Sequence, residues 1–206
     1  MERNTPHNLI ALTAMTRLSE MGVDLVLQQR IGAFVVCWGL YEAHLEGALW
    51  ALTGEEVKGN RPSTDKMPVS EWFEVLGKGS EHLSAAANEV LALAAEAADN
   101  LLGYRNSLVH GVLIPFPGAV SFLRNPRWNG EERKRESGDA HVDENLLDMA
   151  IEASWILFRL VVCMRPGPQD PDVCKQIEGM GKDIRRAKSF ANELRHLTAL
   201  MNHEKY

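Results

Sequence analysis

Two long segments of this chain place their apolar side chains at three- and four-residue spacing. Such a pattern is buried by packing helix against helix. The first runs from about Asp24 to Thr53, with Ile31, Phe34, Val35, Trp38, Leu45, Leu49 and Leu52 on its stripe. The second starts with Ser80 as its cap, continues through Leu83, Val90, Leu93, Ala94, Ala97, Leu101 and Leu108, and stops at Gly111. Its alanines raise helix propensity and let neighbouring helices come close. Neither segment reads as a bilayer span, because charged residues or alanines interrupt both and no run of about 20 apolar residues exists. The 206 residues, 45% hydrophobic and 24% charged, suit one core with a modest extension.

The remaining punctuation is local. Thr5-Pro6 opens a short helix with Leu9, Leu12, Met15 and Leu18 on one stripe, and Gly22 stops it. Gly54, Gly59, Pro62 and Pro68 mark a loop. Ser70 is the expected cap of a short helix bearing Trp72, Phe73, Val75 and Leu76, which Gly77 and Gly79 end. Val112–Phe116 and Ala119–Leu123 flank Pro117-Gly118 and read as a hairpin. Arg124 to His141 is polar and reads as a loose excursion. Asp143 caps a buried helix from Leu146 to Met164. Pro166, Gly167, Pro168 and Pro171 then break the chain before a final amphipathic helix, about Val173 to His203, with Ile177, Met180, Ile184, Ala187, Ala191, Leu194 and Met201 on one face. The expected fold is all-α, a helical bundle with a small β-hairpin insertion at about 112–141 and a C-terminal amphipathic helix. Its parts are an N-terminal helix (1–23), the bundle (24–164), and a Pro/Gly linker with the last helix (165–206).

Several function classes drop out. A net charge of −6 argues against coating polyanions regardless of sequence, though not against a local basic site. Cys37, Cys163 and Cys174 are odd in number and widely spaced, so no disulfide framework is expected. The first residues, Met1 to His7, hold no apolar core of a secretory signal, so a cytoplasmic protein without a membrane partner is expected. The phosphate-cradling glycine motifs are missing. Glu193-Leu194-Arg195-His196 is a lone E-x-x-H, whereas a di-iron bundle needs two such pairs and two further glutamates. No metal and no cofactor is expected.

One constellation carries chemistry. Tyr104-Arg105-Asn106-Ser107-Leu108-Val109-His110-Gly111 closes the second long helix, and Arg105 to His110 is R-x4-H. With 14 Arg, 7 His and 11 Asn in the chain, chance supplies about 0.5 such pairs, and about 0.03 with Asn following the Arg. Asn106 and His110 are four apart and share a helix face. Arg105 lies about 140° around the axis from His110, so one site can need groups from two chains. Glu42 falls on the apolar stripe of the first long helix. A carboxylate there needs a partner, and Arg105 is the first candidate. Glu46, one turn on, is the second choice.

The Tyr104-Arg105-Asn106…His110-Gly111 segment resembles the signature of HEPN (higher eukaryote and prokaryote nucleotide-binding) domains. These are helical bundles whose R-x4-6-H motif often has a polar residue directly after the Arg. The resemblance covers about residues 24–164. It implies a homodimer and, as in many members, a metal-independent endoribonuclease of a toxin–antitoxin or antiviral defence system, with RNA as substrate and a cognate antitoxin or defence partner. Some members only bind or dimerise. One variant carries Tyr two residues after the His as a modification site; Val112 stands there in this chain.

The residue types suit RNA cleavage without metal. A base must take the 2′-OH proton and an acid must protonate the 5′-oxygen, and imidazole does both near neutral pH. Arg105 offers a fixed fork for the growing phosphoryl charge. Asn106 can orient His110 or donate to a phosphate oxygen. Each residue also has a structural reading: Arg105 in a core salt bridge with Glu42, His110 as a helix-end cap, Asn106 as a surface hydrogen bonder and Tyr104 as a core aromatic. Arg124, Arg127 and Trp128 can form an RNA-gripping arm with Arg133, Lys134 and Arg135, or a solvated loop, since Glu131, Glu132 and Glu136 interleave them.

Overall fold

The structure, a computed structural model, describes residues 6–116, 119–132, 134 and 137–203. Among them are seven α-helices and one three-stranded antiparallel sheet. Helix α1 spans Pro6–Glu20, α2 Leu25–Thr53, α3 Val69–Lys78 and α4 Ala85–His110. Strands β1 (Val112–Phe116), β2 (Ala119–Arg124) and β3 (Gly138–Val142) follow, then α5 (Glu144–Cys163), α6 (Pro171–Gly179) and α7 (Gly181–His203). The Pro117-Gly118 turn, Thr5, Arg133, Arg135 and Glu136 lie outside the described residues, as does the side chain of Met201.

Helix α2 buries Leu27, Phe34, Trp38, Tyr41, Leu45, Ala48, Leu49 and Leu52, a seven-residue rhythm along one face. It packs on α5, while α4 packs on α7 and α3. Arg30 fastens the start of α2 to α5 through Asp148 (2.8 Å) and Glu144 (3.1 Å). Val35, expected on the buried stripe, is exposed with Val36 and Leu40 on the opposite face. Trp38, Tyr41 and Phe73 form an aromatic cluster. Trp38 meets both other rings edge-on, and Tyr41 stacks on Phe73 at 6.4 Å. The Trp38 Nε1 and Tyr41 hydroxyl are buried there without hydrogen-bond partners. Burial, and then the charge of Glu42, push the Tyr41 hydroxyl far above its ordinary pKa.

Several boundaries differ from the expectation. Ser84, not Ser80, caps α4, its side chain accepting from the Ala87 amide at 3.0 Å. The Asn88 side chain reaches back to both the N–H and the carbonyl of Ser80, which latches Ser80 into a turn. Helix α3 has Pro68 at its N-cap, not Ser70. Gly77 lies inside α3, where a Cβ would come within 3.2 Å of Ala95, so it permits close packing on α4. The final helix is two, broken at Met180, the C-cap of α6. These helices are part of the core: Val173, Ile177, Ile184, Ala187, Ala191 and Leu194 are buried.

The stretch after Arg124 returns as a third strand, β3, and is not wholly a loose excursion. Val120 pairs with Val142, Ser121 with His141 and Arg124 with Gly138. Val120, Ala140 and Val142 are buried. Strand β1 is an edge, which suits Pro115. Helix α1 meets α2 at 105° and its apolar residues Leu9, Ile10, Leu12, Met15 and Leu18 are exposed. No single helix among the described residues is long and apolar enough to cross a membrane.

Two stability outcomes follow. Ser84→Ala lowers the unfolding free energy by about 1 kcal/mol in urea titration, whereas Ser80→Ala changes it by a few tenths. Tyr41→Phe removes a buried hydroxyl that has no partner, so the same titration shows no loss, or a gain of up to about 1 kcal/mol.

Candidate functional site

The last turns of α4 are held from two sides. Tyr104 is buried, its ring edge-on to Phe34 with centroids 5.9 Å apart. Its hydroxyl donates to the His141 carbonyl at 3.0 Å, which ties α4 to β3. Burial, then the charge of Asp143, raise its pKa far above the usual phenol value. Tyr104 is therefore a neutral donor that sets the position of the helix.

Arg105 turns toward α2. Its Nη2 lies 3.5 Å from Glu42 Oε2, and its Nη1 donates to Asn106 Oδ1 at 3.0 Å. Both charged side chains are about one quarter exposed, 25% for Arg105 and 23% for Glu42. A guanidinium only donates, so Asn106 must present its oxygen to it. The Asn106 amide nitrogen then points its hydrogens elsewhere. Arg105 thus reaches sideways onto the residue that shares His110's helix face, despite the angular offset of their Cα positions.

His110 is the last residue of α4 and is exposed. Among the described residues it has no hydrogen-bond or ion-pair partner. Gly111 follows at once. A Cβ there would stand 2.2 Å from the Ser107 carbonyl and 3.1 Å from Phe122, so only glycine lets α4 run directly into β1.

Glu46 does not join this group. Its Oε1 accepts from the Thr64 hydroxyl at 2.6 Å, and Trp50 Nε1 donates to the same hydroxyl at 3.0 Å. It anchors the Ser63–Lys66 turn to α2. Glu193 and His196 are both exposed on α7, and no third metal-ligating side chain joins them among the described residues.

Arg124, Arg127 and Trp128 do come together. With Gly130, Ser137 and Gly138 they line a cavity of about 530 Å³. Sequence reasoning missed the polar residues behind it. Ser107, 1% exposed, has a hydroxyl without a partner, and Ser121 Oγ meets His141 Nδ1 at 3.2 Å across the sheet. Ser107 occupies an unassigned position inside the motif. His141 could be placed only by recognising β3. The chain matches no family model, no curated protein and no solved structure.

A double-mutant cycle with Glu42→Gln and Arg105→Gln should give a coupling energy of about 1 kcal/mol by urea unfolding, the scale of a half-buried pair. Strict additivity would mean that the pair contributes nothing to holding α4.

Proposed function

We propose that this chain is a HEPN-type endoribonuclease that works as a homodimer and cuts RNA without metal. The observation that carries the reading is the linked group Glu42–Arg105–Asn106 beside an exposed His110 at one helix end. Glu42 takes one arm of the guanidinium and Asn106 another, which fixes the plane of Arg105. The remaining N–H groups, with the Asn106 amide, face a phosphoryl oxygen as it gains charge. A neutral His110 accepts the 2′-OH proton. A protonated His110, supplied across the two-fold by the second copy, gives its proton to the departing 5′-oxygen. The bond from the 2′-oxygen to phosphorus forms as the bond to the 5′-oxygen breaks, leaving a cyclic phosphate. A toxin or antiviral defence setting, with a cognate antitoxin or defence partner, goes with this reading.

A non-catalytic dimerisation or nucleotide-binding module is the second reading. The observation in its favour is the Glu42 partner itself, since a half-buried ion pair also serves helix register.

The deciding measurement is RNA cleavage in EDTA by the parent chain and by His110→Ala, with circular dichroism and oligomeric state checked for both. The nuclease reading expects His110→Ala to lower the rate at least about 100-fold with the fold and dimer intact. Arg105→Lys should not restore the activity lost in Arg105→Ala, because an ammonium cannot reproduce the fork. Equal cleavage by parent and His110→Ala would remove His110 from the site. No cleavage by either, across several RNA pools, would favour the binding module.

A further inference from the structure

We propose that the cavity at the Arg124 end of the sheet is a subsite for one nucleotide unit of single-stranded RNA. The base stacks on Trp128, and Arg124 and Arg127 hold the phosphate. The choice of an RNA strand rests on the nuclease reading; the nucleotide chemistry rests on the cavity itself.

Charge is the first argument. Glutamates interleave these arginines in the sequence, yet among the described residues neither Arg124 nor Arg127 makes an ion pair. The nearby Glu131 carboxylate accepts from the Asn129 amide at 2.9 Å and shapes the turn. Two guanidinium groups on one cavity, neither in an ion pair among the described residues of a chain of net charge −6, mark a place for an anion.

Unmet hydrogen bonding is the second. Arg124 Nε is buried without a partner, and so is the Ser107 hydroxyl. Both groups flank Gly138: a Cβ on Gly138 would lie 3.0 Å from Ser107 Oγ and 3.2 Å from Arg124 Nη2. Buried polar groups are ordinarily paired, and a phosphate oxygen in the cavity that Arg124 lines would supply the acceptor its Nε lacks.

The aromatic decides the class of ligand. Trp128 is 62% exposed at the lip of the cavity, and every nucleobase has a face to stack on it. A bare phosphate or a phosphorylated peptide would use the arginines and leave the indole in water. The volume, about 530 Å³, is that of a small-molecule site.

Position joins this cavity to the end of α4. Val112, two residues after His110, pairs with Leu123, and Arg124 pairs with Gly138. Ser107, behind Gly138, lies in the same helical turns as Asn106 and His110. The cavity and His110 therefore lie at the same end of the sheet.

The test is fluorescence anisotropy of a fluorescein-labelled oligoadenylate, in EDTA, with the His110→Ala protein so that bound strand is not cut. Trp128→Ala, an exposed position, should weaken binding about tenfold or more with no change in the unfolding midpoint. Arg127→Gln should weaken it and flatten the plot of log affinity against log salt by about one unit. The proposal is overturned if both substitutions leave affinity and salt slope unchanged, or if the His110→Ala protein does not bind the strand. Displacement by free AMP at the strand's own concentration would make this a free-nucleotide site and overturn the RNA assignment. Trp128-dependent binding without cleavage by the parent chain would sink the nuclease reading and leave the subsite standing. Cleavage with binding indifferent to Trp128 and Arg127 would do the reverse.

Discussion

Helices α2 and α4 belong to different packed pairs, α2 with α5 and α4 with α7, and they are joined largely by long side chains. The Phe34–Tyr104 ring contact and the Glu42–Arg105 pair are two of those joints. They do different work. The ring contact is apolar, insensitive to salt, and sets the distance between the helices. The ion pair is directional and sets rotation, because a guanidinium meets a carboxylate in only a few geometries. Since Tyr104 also donates to the His141 carbonyl, one residue fixes the helix to a second helix and to the sheet. The direction in which Asn106 and His110 face depends on these contacts together with the packing of α4 on α7, α3 and β3.

The same region shows how polar groups are distributed unevenly through the interior. Around Thr64, acceptors and donors are matched: a carboxylate, an indole and a hydroxyl satisfy one another. In the aromatic cluster and behind Gly138 they are not. In the first of these unmatched places the groups are sealed beneath rings. In the second they adjoin an open cavity with two cations, which separates a packing compromise from a candidate binding surface.

Much of the helical layout was legible because periodicity is a strong signal when a stripe runs for six or more turns. The need for a partner at Glu42 was legible for the same reason: the stripe told which face is dry, and a carboxylate at its edge cannot stay alone there. Other features depended on contacts distant in sequence. Ser80 and Ser84 are chemically alike, and only the reach of Asn88 decides which of them caps α4. Strand β3 reads Gly-Asp-Ala-His-Val, with one β-branched residue and no clean alternation. It forms because its small residues fit beneath α4 and α7 and its backbone completes the ladder of β2. The split between α6 and α7 was marked by Gly179 and Gly181, but the apolar stripe runs unbroken across it. The surroundings of Arg124 and Arg127 were beyond the sequence altogether, because the strand that brings Gly138 beside Arg124 was itself not legible.

A single residue, Gly111, lies between the last residue of α4 and the first of β1, and it is wedged against Phe122 and the Ser107 carbonyl. A linker of that length has no slack. The hairpin and the end of α4 therefore move as one lever, and any tilt imposed on the far end of β2 is delivered to the imidazole of His110 as a displacement.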